Sequence, residues 1–145
     1  MVTNTGVGKI LDEAGILYQK VEDGQSGEYA KVYLEAHGDM HAEIYKDFGL
    51  VQNTGYFIGH DFFYPGDSFT NPGKKVDILA LPALGPWLRI KDSIDYAIEV
   101  KPRVCFPVHD WNIKNANFLK SIPGMFLEKE NIHWKVLENG ETVEL

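Results

Sequence analysis

Two unbroken apolar runs constrain this chain more than any other feature. Val76 to Leu81 is apolar throughout except for Asp77, and Val104 to Val108 is apolar throughout. Both have the length of a strand and carry no polar face, so each reads as a strand buried on both sides. Between them Ile90, Ile94, Ala97 and Ile98 recur at helical spacing, and Pro102 closes the segment, which predicts a helix over 90–100. Buried strands separated by a helix need cover on both faces, so the expectation is a layered α/β domain.

The remaining segments fit that frame. Val7, Ile10, Leu11 and Ala14 give a first helix stopped at Gly15, and Ile16 to Val21 a short strand. Asp23-Gly24 reads as a turn and Ala30 to Ala36 as a strand with Val32 and Leu34 on one face. Thr54 to Ile58 and Asp61 to Tyr64 flank Gly59-His60, as in a hairpin. Asn112 to Ser121 is a predicted helix. Ile132 to Leu137 and Glu141 to Leu145 suggest a closing hairpin around Asn139-Gly140. With 145 residues and no linker or repeat, residues 1–145 are expected to form one domain.

Composition removes several functions. The net charge of −7 comes with no Lys/Arg-rich stretch, so no nucleic-acid partner is expected. No apolar run approaches the roughly 18 residues of a membrane span. The N-terminus lacks the basic start and apolar stretch of a secretory signal. Cys105 is the only cysteine and has no internal partner, which makes a cytoplasmic setting the expectation.

Four short stretches carry groups able to do chemistry. Glu35 to Glu43 holds His37, His41 and three carboxylates, ligand types that suit zinc, iron or manganese. Tyr64-Pro65-Gly66-Asp67-Ser68 bends at the end of a strand and presents an aspartate, whose two oxygens can reach two cations. Phe106-Pro107-Val108-His109-Asp110 puts an imidazole at the rim of a sheet, with Asp110 able to orient it. Leu81-Pro82-Ala83-Leu84-Gly85-Pro86-Trp87 looks like a loop at a pocket wall. Taken singly, these read as turns, solvated loops or hydrogen-bonded structural histidines. His60 falls in a hairpin turn, His133 in the closing hairpin, and Cys105 in an apolar strand where a thiol acts as a small hydrophobe.

Their order adds what no single stretch supplies. Gly38-Asp39-Met40-His41-Ala42-Glu43-Ile44, Asn53-Thr54-Gly55-Tyr56, Tyr64-Pro65-Gly66-Asp67-Ser68, Val76 to Pro82 and Pro107-Val108-His109 follow one another in a way that resembles the metallo-β-lactamase superfamily, and within it the small bacterial hydrolases similar to L-ascorbate-6-phosphate lactonase. The resemblance runs from about Val2 to His109. It implies a four-layer αββα sandwich and a divalent-metal hydrolase, with zinc, manganese or iron activating water against an ester, lactone or phosphoester of a small-molecule substrate. It implies His41 and His109 as ligands of different ions and Asp67 as the catalytic aspartate bridging them; His37 has no ligand role.

The chain departs from the family pattern at its start. The His-x-His-x-Asp-His motif that precedes the counterpart of Met1-Val2-Thr3-Asn4 is absent, so the sandwich is expected to be N-terminally incomplete. Each ion would then keep two protein ligands, against about three for catalytic zinc. The expectations are weak metal binding, little turnover by the isolated monomer, and a homo-oligomer that covers the open sheet face. The competing expectation is a non-catalytic structural or interaction module that keeps the fold.

Overall fold

The computed structural model describes residues 1–48, 50–110, 116–138 and 140–144, with backbone alone over 116–120. Its main body is a seven-stranded sheet in the order β3-β4-β5-β6-β7-β8-β9. These strands are β3 (Ser26–Tyr29), β4 (Val32–His37), β5 (Gly55–Ile58), β6 (Phe62–Tyr64), β7 (Ile78–Pro82), β8 (Val104–Val108) and β9 (His133–Trp134). β3 to β6 form an antiparallel meander; β6 to β9 pair in parallel. Ahead of the sheet lie β1 (Val2–Thr3) and β2 (Gln19–Lys20), a parallel pair joined through α1 (Thr5–Glu13). Helix α2 (Ile90–Val100) links β7 to β8, and α3 (Ala116–Leu127) precedes β9.

The two apolar runs pair with each other over their whole length, from Ile78 opposite Val104 to Pro82 opposite Val108. Parallel strands need a long crossover, and α2 supplies it over the residues its periodicity predicted. One sheet face carries the row Phe57, Phe63, Leu79 and Cys105. Ile94 and Ala97 of α2, Leu127 of α3 and Ile132 pack in the same core, and all four strand residues are fully buried.

The opposite face carries the row Leu34, Ile58, Phe62, Ile78 and Val104, with Tyr56, Tyr64 and Phe106 beside it. It has no charged side chain over β4 to β8. Val32, Ile58 and Tyr64 are 42%, 41% and 39% exposed. The N-terminal unit is tied to one end of the sheet: Tyr56 Oη donates to the Val21 carbonyl at 2.9 Å and Asn4 Nδ2 to Thr54 Oγ1 at 3.2 Å.

Helix α1 begins where its amides find side-chain acceptors. Asn4 Oδ1 accepts from Val7 N, Glu22 Oε1 from Thr5 N and Gln52 Oε1 from Gly6 N, at 3.0, 3.1 and 2.6 Å. Three of the donors that any helix N-terminus leaves open are thereby satisfied.

Three sequence expectations change. The strand expected from Ala30 begins at Val32, because Ala30 and Lys31 form a tight turn with φ of 51° and 68°; its other arm, β3, was not anticipated. The closing hairpin is absent among the described residues: β9 instead joins the sheet edge beside β8, with His133 N donating to Arg103 O and Lys135 N to Cys105 O, both at 2.9 Å. The helix expected over 112–121 runs over 116–127 and takes in Pro123; residues 111–115 lie outside the described residues. Among the described residues no helix is long and apolar enough to cross a membrane.

Candidate metal centre

Three side chains meet beyond the ends of the central strands. His41 follows β4, Asp67 follows β6 and His109 follows β8. His41 Nε2 lies 3.4 Å from Asp67 Oδ2, and His109 Nε2 lies 3.8 Å from Asp67 Oδ1. The carboxylate thus turns one oxygen to each imidazole. Two donors sharing one ion through bonds of about 2.1 Å at a tetrahedral angle sit about 3.4 Å apart, close to the first of these separations.

The tautomer of His41 sharpens the point. Its Nδ1 is 2.5 Å from the Ala42 carbonyl, an oxygen that can only accept, so Nδ1 carries the proton. That leaves Nε2 as the ring nitrogen facing a carboxylate oxygen of Asp67. Such a pair is held together by a proton or a metal cation between them.

The backbone laces the surrounding loops. His41 N donates to Val51 O, Ala42 N to Asp67 O and Asn53 N to Asp39 O, at 2.9, 2.9 and 3.3 Å. The Asn53 carboxamide spans the turn before Asp67, donating to Pro65 O and accepting from Asp67 N, both at 2.9 Å. Ser68 Oγ donates to Pro65 O at 3.1 Å, and Tyr96 of α2 donates to Thr70 O at 2.6 Å. Gly55 admits this turn: a Cβ there would lie 2.9 Å from Pro65 Cα. Trp87 sets its ring edge-on to His41, with centroids 5.7 Å apart, and packs on Phe69.

His109 sits at φ 58°, a left-handed conformation uncommon outside glycine, and its Nδ1 is buried with no hydrogen-bond partner among the described residues. Asp110 is exposed and does not supply that partner. Beside Asp67 opens a cleft of about 250 Å³, with Thr3, Asn4, Gln52, Thr54 and Tyr64 in its wall. Burial, and then the Asp67 charge, raise the Tyr64 phenol above its usual value, so it stays a neutral donor.

The other histidines are occupied elsewhere. His37 Nε2 lies 2.7 Å from Glu35 Oε1, whose partner oxygen takes Lys74 Nζ at 2.7 Å. Those contacts, Lys74 first, hold the Glu35 carboxyl below its ordinary value despite some burial. His60 is exposed and stacks near Tyr33, and His133 is exposed beside Glu128. Cys105 is buried, with its thiol pushed up to about 12 by burial and then by Glu128.

Imidazole nitrogen and carboxylate oxygen are the right kinds of donor for a divalent ion. Their number is short. Each ion position would have one imidazole and one carboxylate oxygen, and among the described residues no group of three or more His, Cys, Asp or Glu encloses a single ion. The structure brings together His41, Asp67 and His109, the three residues that the resemblance singles out. Asn53 has no role in the sequence pattern; its one signal there is its place two residues before the glycine that opens β5.

Comparison with known proteins bears on the fold. No family model matches the chain. Protein Rv0786c of Mycobacterium tuberculosis is 31% identical over 102 residues, which cover 67% of this chain and 48% of that protein. The chain therefore spans about half the length of the curated relative it matches. Among solved structures, Igni18, a metallo hydrolase of the archaeon Ignicoccus hospitalis, superposes with a TM-score of 0.68 at 15% identity, covering 98% of this chain and 66% of that one. A protein of Parabacteroides distasonis assigned to the metal-dependent hydrolases superposes at 0.69 and 14% identity, covering 93% of this chain and 62% of that one. At such identity the likeness concerns the fold: the chain shares the mixed α/β architecture of these proteins.

Proposed function

We propose that this chain carries part of a divalent-metal hydrolase centre, with His41 and His109 as ligands at separate positions and Asp67 spanning them. The observation that carries the reading is the Asp67 carboxylate, one oxygen 3.4 Å from His41 Nε2 and the other 3.8 Å from His109 Nε2. The strained backbone at His109 points the same way, since such conformations gather at functional sites. When bound, a divalent ion supplies a nucleophilic water at neutral pH and polarises the bond to be cleaved. The chain's own part is to hold the ligands: Ala42 O fixes the His41 ring and the Trp87 edge limits its rotation. The cleft beside Asp67 receives a small ester, lactone or phosphoester, its wall offering hydroxyl and amide groups.

Zinc is the proposed ion, with manganese and iron suited to the same donors. Two protein donors per position predict weak binding and slow turnover by the isolated chain. Elemental analysis of protein purified without a tag tests this, alongside His41→Ala and His109→Ala. The parent should retain metal below stoichiometry and both variants less; metal at the parent's level in both would exclude these ligands. A second reading, a scaffold without chemistry, is favoured by the same shortage of donors, and robust metal-dependent turnover would exclude it. We also propose self-association through the uncharged sheet face around Ile58 and Tyr64, and a cytoplasmic setting that suits the single buried thiol.

A further inference from the structure

We infer that Asn53 is a positioning residue for this site, its carboxamide fixing the turn that aims Asp67. The inference rests on the proposed metal reading for what Asp67 finally holds, but its geometry is the chain's own. Both ends of one amide grip one turn: Nδ2 donates to Pro65 O and Oδ1 accepts from Asp67 N, each at 2.9 Å. A buried or half-buried turn with both of these groups satisfied has little freedom to rotate the side chain that follows.

Residue type follows from that geometry. Pro65 O needs a donor and Asp67 N–H needs an acceptor, so a carboxamide serves both. An aspartate here would meet the Pro65 carbonyl with an anionic oxygen and add a second negative charge beside Asp67. Gly66 completes the fit, with φ 68° and a position where a Cβ would lie 2.3 Å from Asn53 Oδ1. Ser68 Oγ shares Pro65 O at 3.1 Å, but only Asn53 also reaches the Asp67 amide.

The same residue couples the turn to the first histidine. Asn53 N donates to Asp39 O, two residues before His41, and Ala42 N donates to Asp67 O. Ala42 is also the residue whose carbonyl orients the His41 ring. Moving Asn53 therefore shifts the carboxylate relative to both imidazoles without removing any ligand, as partners of metal ligands do elsewhere at a typical cost of about 10–100-fold in affinity.

The test compares the parent with Asn53→Ala, Asn53→Asp and Gly66→Ala, the last reaching the same clamp from the other side should the Asn53 variants not fold. Nitrogen-edited NMR spectra of the imidazole rings, recorded in chelator, report the metal-free geometry; calorimetric titration with zinc alone reports affinity. The His41 and His109 ring signals should move in each variant while His133 stays in place, and zinc affinity should fall about 10–100-fold. Unmoved His41 and His109 signals, or, where the parent binds zinc, moved signals with unchanged zinc affinity, would overturn the inference. A parent chain that takes up no zinc would overturn the metal reading alone, because the chelator spectra still decide what Asn53 does to Asp67.

Discussion

At the scale of single residues, the chain separates a reactive group from an inert one by burial. Cys105 lies at 0% exposure in the row that packs under α2 and α3. Its thiol is pushed up to about 12, so the nucleophilic thiolate is scarce at neutral pH. Iodoacetamide at pH 8 should leave Cys105 unmodified in the native chain and alkylate it fully in denaturant, as read by intact mass. His41 and His109 differ because they stand at strand ends, partly open and facing a carboxylate. In the sequence they stand out through the order of the stretches that carry them, since each stretch taken singly reads as a turn or loop. The role of Asn53 was not, since it consists of two hydrogen bonds to a turn distant in sequence, and no local pattern announces them. The contact of Trp87 with His41 is of the same kind: a loop aromatic reads as core or rim until its partner is known.

Among the elements, those with a strong periodic signal came out as read. The helix over 90–100 needs only its apolar spacing and Pro102, and both lie within its own residues. The turn at Ala30-Lys31 was hidden because neither residue is a glycine or asparagine, although both adopt positive φ; pairing of β3 with β4 imposes the turn. At the C-terminus the Asn139-Gly140 dipeptide suggests a hairpin, whereas the His133 segment extends the parallel sheet beside β8; Asn139 itself lies outside the described residues. Element α1 depends on a titratable acceptor. Glu22 is lowered from 4.5 to about 2, first by hydrogen bonding with Thr5 and then with Gln52. A carboxylate depressed in the folded state stabilises it fully above its unfolded value, and that contribution fades as pH falls from about 4.5 towards 2. Glu22→Gln should therefore melt below the parent at pH 7, and the two melting temperatures should converge near pH 2 by circular dichroism.

For the whole molecule, the two faces of the sheet have unequal lives. The helix-covered face holds Phe57, Phe63 and Leu79 at 0% exposure, and Leu79→Ala should cost about 2–5 kcal/mol in urea unfolding, the range for emptying a packed site. The uncharged face leaves Val32, Ile58 and Tyr64 in contact with solvent, so light scattering should find species larger than a monomer at high micromolar concentration, and Ile58→Lys should shift them towards monomer. A parent that scatters as a monomer under these conditions would count against self-association.

The strand order has a consequence for how such a chain is made. From β3 to β9 the neighbours in space are neighbours in sequence, so no strand has to be threaded between two that are already joined. A nascent chain leaving the ribosome can lay the sheet down like courses of brick, the meander first and each parallel strand against the edge just finished. Pulsed hydrogen exchange during refolding should protect amides of β4 and β5 ahead of those in β8. The cluster of residues 41, 67 and 109 would then be among the last features to assemble, with the late arrival of His109.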